Sequence, residues 1–350
     1  MKPAPLTTEH QNIFRRMQNL FVLREGIEAL LSNVSCRHLA SAACLMFVLQ
    51  LDQSLAGDLA LESIKLPALR VNGQAAKAHT QGMEIAAGQY FVTARRDDVL
   101  PKQALLLRTG STRTDWDVWD ITPVDTVGGV MALDHPGGMQ SDGRLLWVPL
   151  AESKRNGRSI IRVYSIAGLV AGQPPKAEFE FPVEDHIGAM AVSVDRRLVF
   201  GASWDTEKVY VWNWEGRLQR TLSSTELGSR GLGVVTGPNG RAGLAVQDWK
   251  VVGDRLFASG LFHAPGTAAV SPASRFMSFA GFLETNFQRW SIALPTQKGI
   301  ELGNEAMTIS EGLVHFLPED LGASNRIFRV SLVDLMKQSA SEESRSGNAP

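Results

Sequence analysis

Three histidines hold equivalent places in this chain. His79 opens HTQGM, His135 opens HPGGM and His186 opens HIGAM, each four residues ahead of Met83, Met139 or Met190. Neutral imidazoles that converge with a carboxylate can ligate Zn, Fe, Cu or Mn. The third position of the same register holds Gln81, Gly137, Gly188, Gln247 and Glu305. His79, His135, His186 and Glu305 therefore form one candidate set for a single divalent metal ion. Such an ion would polarise a carbonyl or activate water. Glu152, Glu319 and His263 are then the candidate catalytic residues, with either glutamate as general base. The metal-free reading of the same face is a polar ligand site, with Arg95, Gln81, Gln247 and Asp248 as candidate contacts. A third reading is a wet channel lined by histidines that repetition has copied.

The elements that must carry these residues are repeats. Met83, Met139, Met190, Trp249 and Met307 are spaced by 56, 51, 59 and 58 residues. After each comes a second apolar run: QYFVTARR, RLLWVPLAE, RLVFGASWD, RLFASGLFH and LVHFLPED. A third strand is expected at Asp117 (DVWDI), Arg162 (RVYSI), Lys208 (KVYVWNW), Gln288 (QRWSI) and Phe328 (FRVSL), with Trp116, Trp119, Trp212, Trp214 and Trp290 packing between units. Fourth strands follow at Lys176 (KAEFEFP) and Arg217 (RLQRTL). One four-stranded unit cannot bury both faces, but stacked units can. Radial stacking gives an all-β ring of 4–8 blades.

The ends set the number. The fifth repeat lacks a fourth strand, and DLALESIKLPAL from Asp58 can supply it. Five blades closed by an N-terminal strand account for residues 57–337. Six is the alternative, if residues 223–246 add strands. Inner strands and the ends of second strands then meet on one face, so Arg95, Glu152, Asp205, His263 and Glu319 form a second ring there. Long connections between second and third strands are expected after Arg96 and after His263. Long loops on a rigid scaffold commonly carry function.

The repeats HPGGMQSDGRLLWVPL and HIGAMAVSVDRRLVFGAS resemble β-propeller proteins, specifically exported bacterial propellers of unassigned function, over about 280 residues. The resemblance implies the fold and no particular activity, because propellers host unrelated functions.

The front of the chain reads as an address. Leu39 to Leu51 is an uncharged run after Arg37, and Ser54-Leu55-Ala56 before Gly57 fits a small-residue cleavage site. Such a run is a secretory signal and is too short to span a bilayer. Residues 1–56 are therefore expected to be lead and signal peptide, with the mature chain exported to the periplasm or beyond. Both cysteines, Cys36 and Cys44, fall in that lead, so the mature chain has no disulfide framework. Residues 338–350 (QSASEESRSGNAP) read as a disordered tail.

Composition narrows the function classes. Of 350 residues, 44% are hydrophobic and 20% charged, and the net charge is −1. No basic stripe calls for nucleic acid. No GxxxxGK, GxGxxG, GxSxG or EF-hand pattern is present. The expected function is a monomeric, exported propeller that binds a small molecule, peptide or glycan at its upper face. The alternative is a metal-dependent hydrolase, lactonase or oxidoreductase.

Overall fold

The computed structural model describes residues 59–110, 112, 114–123, 133–237, 240–264, 272–297 and 299–338. The signal-like run, both cysteines, Pro238-Asn239 and the tail after residue 338 lie outside these residues.

Five antiparallel sheets follow one another along the chain. Blade 1 runs His79–Ala86, Gln89–Arg96, Gln103–Thr109 and Asp117–Asp120, from inside to outside. In blade 2 the inner strand is split into His135–Pro136 and Gln140–Ser141, followed by Leu145–Ala151, Ser159–Ser165 and Ala177–Val183. Blade 3 is Ile187–Ser193, Leu198–Ser203, Val209–Asn213 and Leu218–Leu222. Blade 4 is Gly240–Val252, Arg255–His263, Ala273–Ala280 and Gln288–Ala293, with Val235–Gly237 added at its inner edge. Blade 5 is Ala306–Ser310, Leu313–Leu317 and Asn325–Ser331, and its outer strand is Glu62–Leu66. Glu62 stands opposite Arg329, Ile64 opposite Ile327 and Leu66 opposite Asn325. Strand from one end of the chain and sheet from the other thus close the ring, as the sequence predicts.

Strand periodicity explains why the sheets stack. In blade 1, Met83, Val92, Leu105 and Leu107 pack against blade 5, while Phe91, Leu106 and Trp119 pack against blade 2. Successive side chains of a strand point to opposite faces, so adjacent residues serve different neighbours. Five separate hydrophobic clusters result, one for each pair of neighbouring blades. This is a five-bladed β-propeller. Residues 223–246 do not add a sixth blade. Ser224–Arg230 is a helix capped by Ser223 and Glu226, and Gly231 ends it with φ 76°.

Two expected third strands prove to be fourth strands. Asp117–Asp120 pairs with Gln103–Thr109, and Gln288–Ala293 pairs with Ala273–Ala280. The true third strands, QALLLRT and ASRFMSFA, carry no tryptophan. Trp119 and Trp290 therefore sit on fourth strands. The connection after His263 is shorter than expected, because Ala273–Ala280 lies within the segment taken for loop.

The axis of the ring is filled rather than open at the level of the aligned Met residues. Gly138 N donates to Gly188 O at 2.9 Å, and Met190 N donates back to Gly138 O at 2.8 Å. A Cβ on Gly137 would stand 2.2 Å from Gly188 O, so only glycine fits where blades 2 and 3 touch. Asp248 occupies the centre. Its Oδ2 accepts from Met83 N and Met307 N, both at 3.1 Å, and its Oδ1 accepts from Trp249 N at 2.9 Å and from Lys250 Nζ. Both Asp248 and Lys250 are buried, and Glu84 lies beside them. Burial pushes Asp248 up to about 6 against the pull of Lys250. Burial likewise pushes Glu84 up to about 8, opposed by Lys250 and reinforced by Asp248. One ammonium thus serves two carboxyls, and Glu84 keeps its proton at neutral pH.

Candidate functional site

The upper face is where the inner strands begin and the second strands end. Antiparallel pairing sets His79 opposite Arg95, and His135 opposite Ala151 just before Glu152. His186 immediately precedes the inner strand of blade 3. All three aligned histidines therefore come to one face. The rings of His135 and His186 meet edge to face, with centroids 5.1 Å apart.

Each histidine is held differently. His79 Nδ1 bonds Asp320 Oδ1 at 2.6 Å, and its Nε2 lies 3.8 Å from Glu305 Oε1. His135 Nε2 meets Gln81 Oε1 at 2.7 Å. His186 Nδ1 donates to the carbonyl of Glu152 at 2.7 Å. Thr80 Oγ1 donates to Glu319 O at 2.8 Å, which fixes the 319–320 turn against blade 1.

Protonation follows from these environments. The hydrogen bond that His79 donates to Asp320 raises His79 despite burial, and the same bond holds Asp320 below its usual range. Burial pushes Glu305 up to about 8, because a half-exposed imidazole 3.8 Å away offsets little of the cost. Its Oε1 also accepts from Asn304 Nδ2 at 2.7 Å. Burial, then the neighbouring His186, drives His135 down to about 3, and burial also lowers His186. Both therefore stay neutral at physiological pH.

The remaining sequence-predicted residues divide. Arg95 Nη1 donates to Ser153 Oγ at 2.6 Å on this face. Glu152 is buried and paired with Lys154 at 3.1 Å and Arg158 at 3.3 Å. Burial alone would raise it. Hydrogen bonds from Arg158 N, Lys154 and the Arg158 side chain instead hold it below the usual range, as suits a structural anion rather than a base. Glu319 is half-buried, with its carbonyl engaged by Thr80. His263 lies by the blade 3–4 boundary, where burial and Arg241 lower it. Gln247 sits at a bulge between Val246 and Asp248. That bulge turns Asp248 into the ring centre, where both its oxygens are occupied and no ligand reaches them. Among the described residues, no group of three or more His, Cys, Asp or Glu side chains is arranged to hold a metal ion.

Asp320 and Trp204 are the site residues that sequence reasoning missed. Trp204 packs edge-on against His186, centroids 4.8 Å apart. It is followed by Asp205 and Thr206 at φ 54° and 56°, two consecutive non-glycine residues in the left-handed region. Such backbone costs about 1–3 kcal/mol per residue and persists only where surroundings impose it. Here Asp205 pairs with Arg155 and with Arg241 at 2.6 Å, its carbonyl accepts from Val234 N, and Thr206 Oγ1 accepts from Val246 N at 2.9 Å. Each missed residue adjoins one that the repeat alignment marks, Glu319 and Asp205, which is the signal that could have found it.

Fold and face together define a five-bladed β-propeller with a polar, histidine-centred upper surface. The chain belongs to DUF6454, a family of unknown function, which it matches over residues 71–265. No curated protein matches it in sequence. Among solved structures it is similar to the phage phi92 endosialidase, at 9% identity and TM-score 0.44, covering 78% of this chain and 69% of that one. It is similar to the GH43 protein BlXynB from Bacillus licheniformis, at 9% and 0.46, covering 76% and 54%. The β-propeller domain of the Trilobed protease from Pyrococcus furiosus gives 8% and 0.35, covering 72% and 82%.

Proposed function

We propose that this protein is a binding module whose upper face takes a small molecule, peptide or glycan. The observation that carries this reading is the convergence of His79, Gln81, His135, His186 and Glu305 on one face of a rigid ring. Polar groups on such a scaffold are pre-oriented, which lowers the entropic cost of binding. The filled axis beneath them makes the face a shallow floor rather than a tunnel. The metal-dependent alternative draws less support, since His79 is committed to Asp320 and Glu152 to its cations. We further propose export, on the strength of the run Leu39 to Leu51.

A ligand screen by thermal shift and NMR on the full chain tests the module. A true ligand raises Tm, and Gln81→Ala abolishes the rise without lowering the Tm of the free protein by more than a few degrees. Binding that Gln81→Ala and His79→Ala leave intact would place the site elsewhere. Retention of about one metal ion per chain through chelation would instead favour the metal-dependent enzyme.

A further inference from the structure

Between the closing strand and blade 1 the chain makes a short hairpin, Arg70–Val71 and Gln74–Ala75. Asn72 and Gly73 turn it at φ 51° and 77°, the left-handed pair that a tight hairpin requires. Its feet are pinned to blade 5, where Leu69 N donates to Gly322 O at 2.8 Å and Ala78 N to Leu321 O at 3.0 Å. Trp116 Nε1 donates to Pro67 O at 3.0 Å, which ties the same segment to blade 1. Hairpin and blade 1 thus border a fixed cleft of about 470 Å³. That is the size of a small-molecule site. Its floor is apolar, with Leu105 and Trp116 buried and Val71 and Val118 half-buried.

Arg70, Asp115 and Asp120 stand exposed on the walls of this cleft. Asp117, between the two carboxylates in sequence, pairs with Arg108 at 2.5 Å. Asp115 and Asp120 pair with no cation among the described residues, and their oxygens are held by neutral donors instead. Asp115 Oδ1 accepts from Trp116 N at 2.8 Å, and Asp120 accepts from Thr122 N at 3.0 Å and Gln103 Nε2 at 2.9 Å. Arg70 Nη1 donates to Gly73 O at 3.2 Å, which turns the guanidinium along the hairpin. Opposite charges thus share one cleft, each oriented by a neutral neighbour and none neutralised.

We propose that this cleft is a second ligand site and that it takes a free α-amino acid with an apolar side chain. The ammonium lies against Asp115 and Asp120, the carboxylate against Arg70, and the side chain on the floor of Trp116 and Val118. A guanidinium matches a carboxylate with two parallel hydrogen bonds. An apolar ligand would leave all three charges unanswered, and a dianion such as phosphate would meet two carboxylates for one guanidinium. Exposed ion pairs contribute little singly, so burial of the side chain must supply the rest. None of the upper-face residues lines this cleft, so the site goes beyond the binding reading of that face and does not depend on it.

Calorimetry on the full chain tests the site with L-leucine and L-phenylalanine. Their Nα-acetyl and carboxamide derivatives each delete one charge. The expected result is binding of both free amino acids and at least tenfold weaker binding of either derivative. Arg70→Gln should weaken the free amino acid about tenfold and leave the carboxamide unchanged, while Asp115→Asn should do the same with respect to the Nα-acetyl form. That matching of variant to derivative is a readout that a merely structural role would not move. If either variant fails to fold, the derivative series on the wild-type chain decides alone. Absence of binding by either amino acid, equal affinity for the derivatives, or undiminished binding by folded Arg70→Gln and Asp115→Asn overturns the site. Binding lost in Gln81→Ala but kept in Arg70→Gln also overturns it, and places the amino acid on the upper face. Binding that depends on Arg70 and not on Gln81 supports the cleft, even if every upper-face ligand fails.

Discussion

Gln140 of blade 2 and Asp248 of blade 4 between them join all five blades through backbone hydrogen bonds. Gln140 Oε1 accepts from Val192 N in blade 3 and Val251 N in blade 4, both at 2.8 Å, and its Nε2 donates to Val251 O at 2.7 Å. Asp248 accepts from Met83 N in blade 1 and Met307 N in blade 5. At Met83, Val192, Val251 and Met307 these two side chains, rather than a neighbouring strand, satisfy the axial-side amides.

Removing either should therefore loosen the ring, and unequally. Asp248→Ala strands the buried Lys250 as well as three amides, and should cost about 3–5 kcal/mol. Gln140→Ala strands neutral groups only, and should cost about 1–3 kcal/mol. Chemical denaturation of both variants checks the order. An Asp248→Ala loss smaller than that of Gln140→Ala would contradict the central role of the ion pair.

Gly137→Ala should be at least as damaging as many core truncations, by about 3 kcal/mol or more. Its new methyl would meet backbone at Gly188 O, which cannot rotate away. Soluble expression and the denaturation midpoint report the outcome, and near-wild-type values would mean the inner strands can separate.

Stability should fall at both ends of the pH scale, for opposite reasons. Glu84 is raised to about 8 in the folded chain. Its contribution is thus whole below the unfolded carboxylate range and is lost as pH rises toward 8. His135 is depressed to about 3. A buried neutral histidine favours the folded state above about pH 6.5, and that advantage shrinks as pH falls and the unfolded chain takes up the proton. Denaturation of Glu84→Gln across pH 5–9 should show a flatter alkaline arm than wild type. His135→Gln should flatten the acid arm. Unchanged slopes in both variants would sink the assignment.

Deleting residues 59–66 should leave Asn325–Ser331 with an unpaired edge and expose Ile327 and its neighbours, so the protein should aggregate. Removing residues 339–350 should leave Tm within a few degrees of wild type. Indistinguishable melting of the two truncations would be incompatible with closure by the first strand.

Much of this was legible because propeller repeats write period-two patterns at fixed spacing. The Met and Trp anchors, the inner and second strands and the closing role of ESIKL all follow from that pattern. Third strands are less legible where burial on both faces erases alternation: QALLLRT reads as a plain apolar run, and the Trp-bearing outer strand DVWD carries the stronger strand signal. Asp248 departs from its expected place because the register shifts there. One bulged residue at Gln247 swings Asp248 from the expected ligand face into the axis, and an alignment by offset cannot see a bulge. The Asp320–His79 bond spans 241 residues of sequence, so only the closed ring brings its partners together.

The outer strand of blade 5 also sets a clock. Glu62 and its partner Arg329 are 267 residues apart. At about 5–20 residues per second, roughly 15–50 s of synthesis separates the first strand from the strand it must pair with. Through that interval ESIKL is a sticky, partnerless edge while four sheets assemble after it. Whatever keeps the strand single during those seconds governs how much of the protein reaches a closed ring.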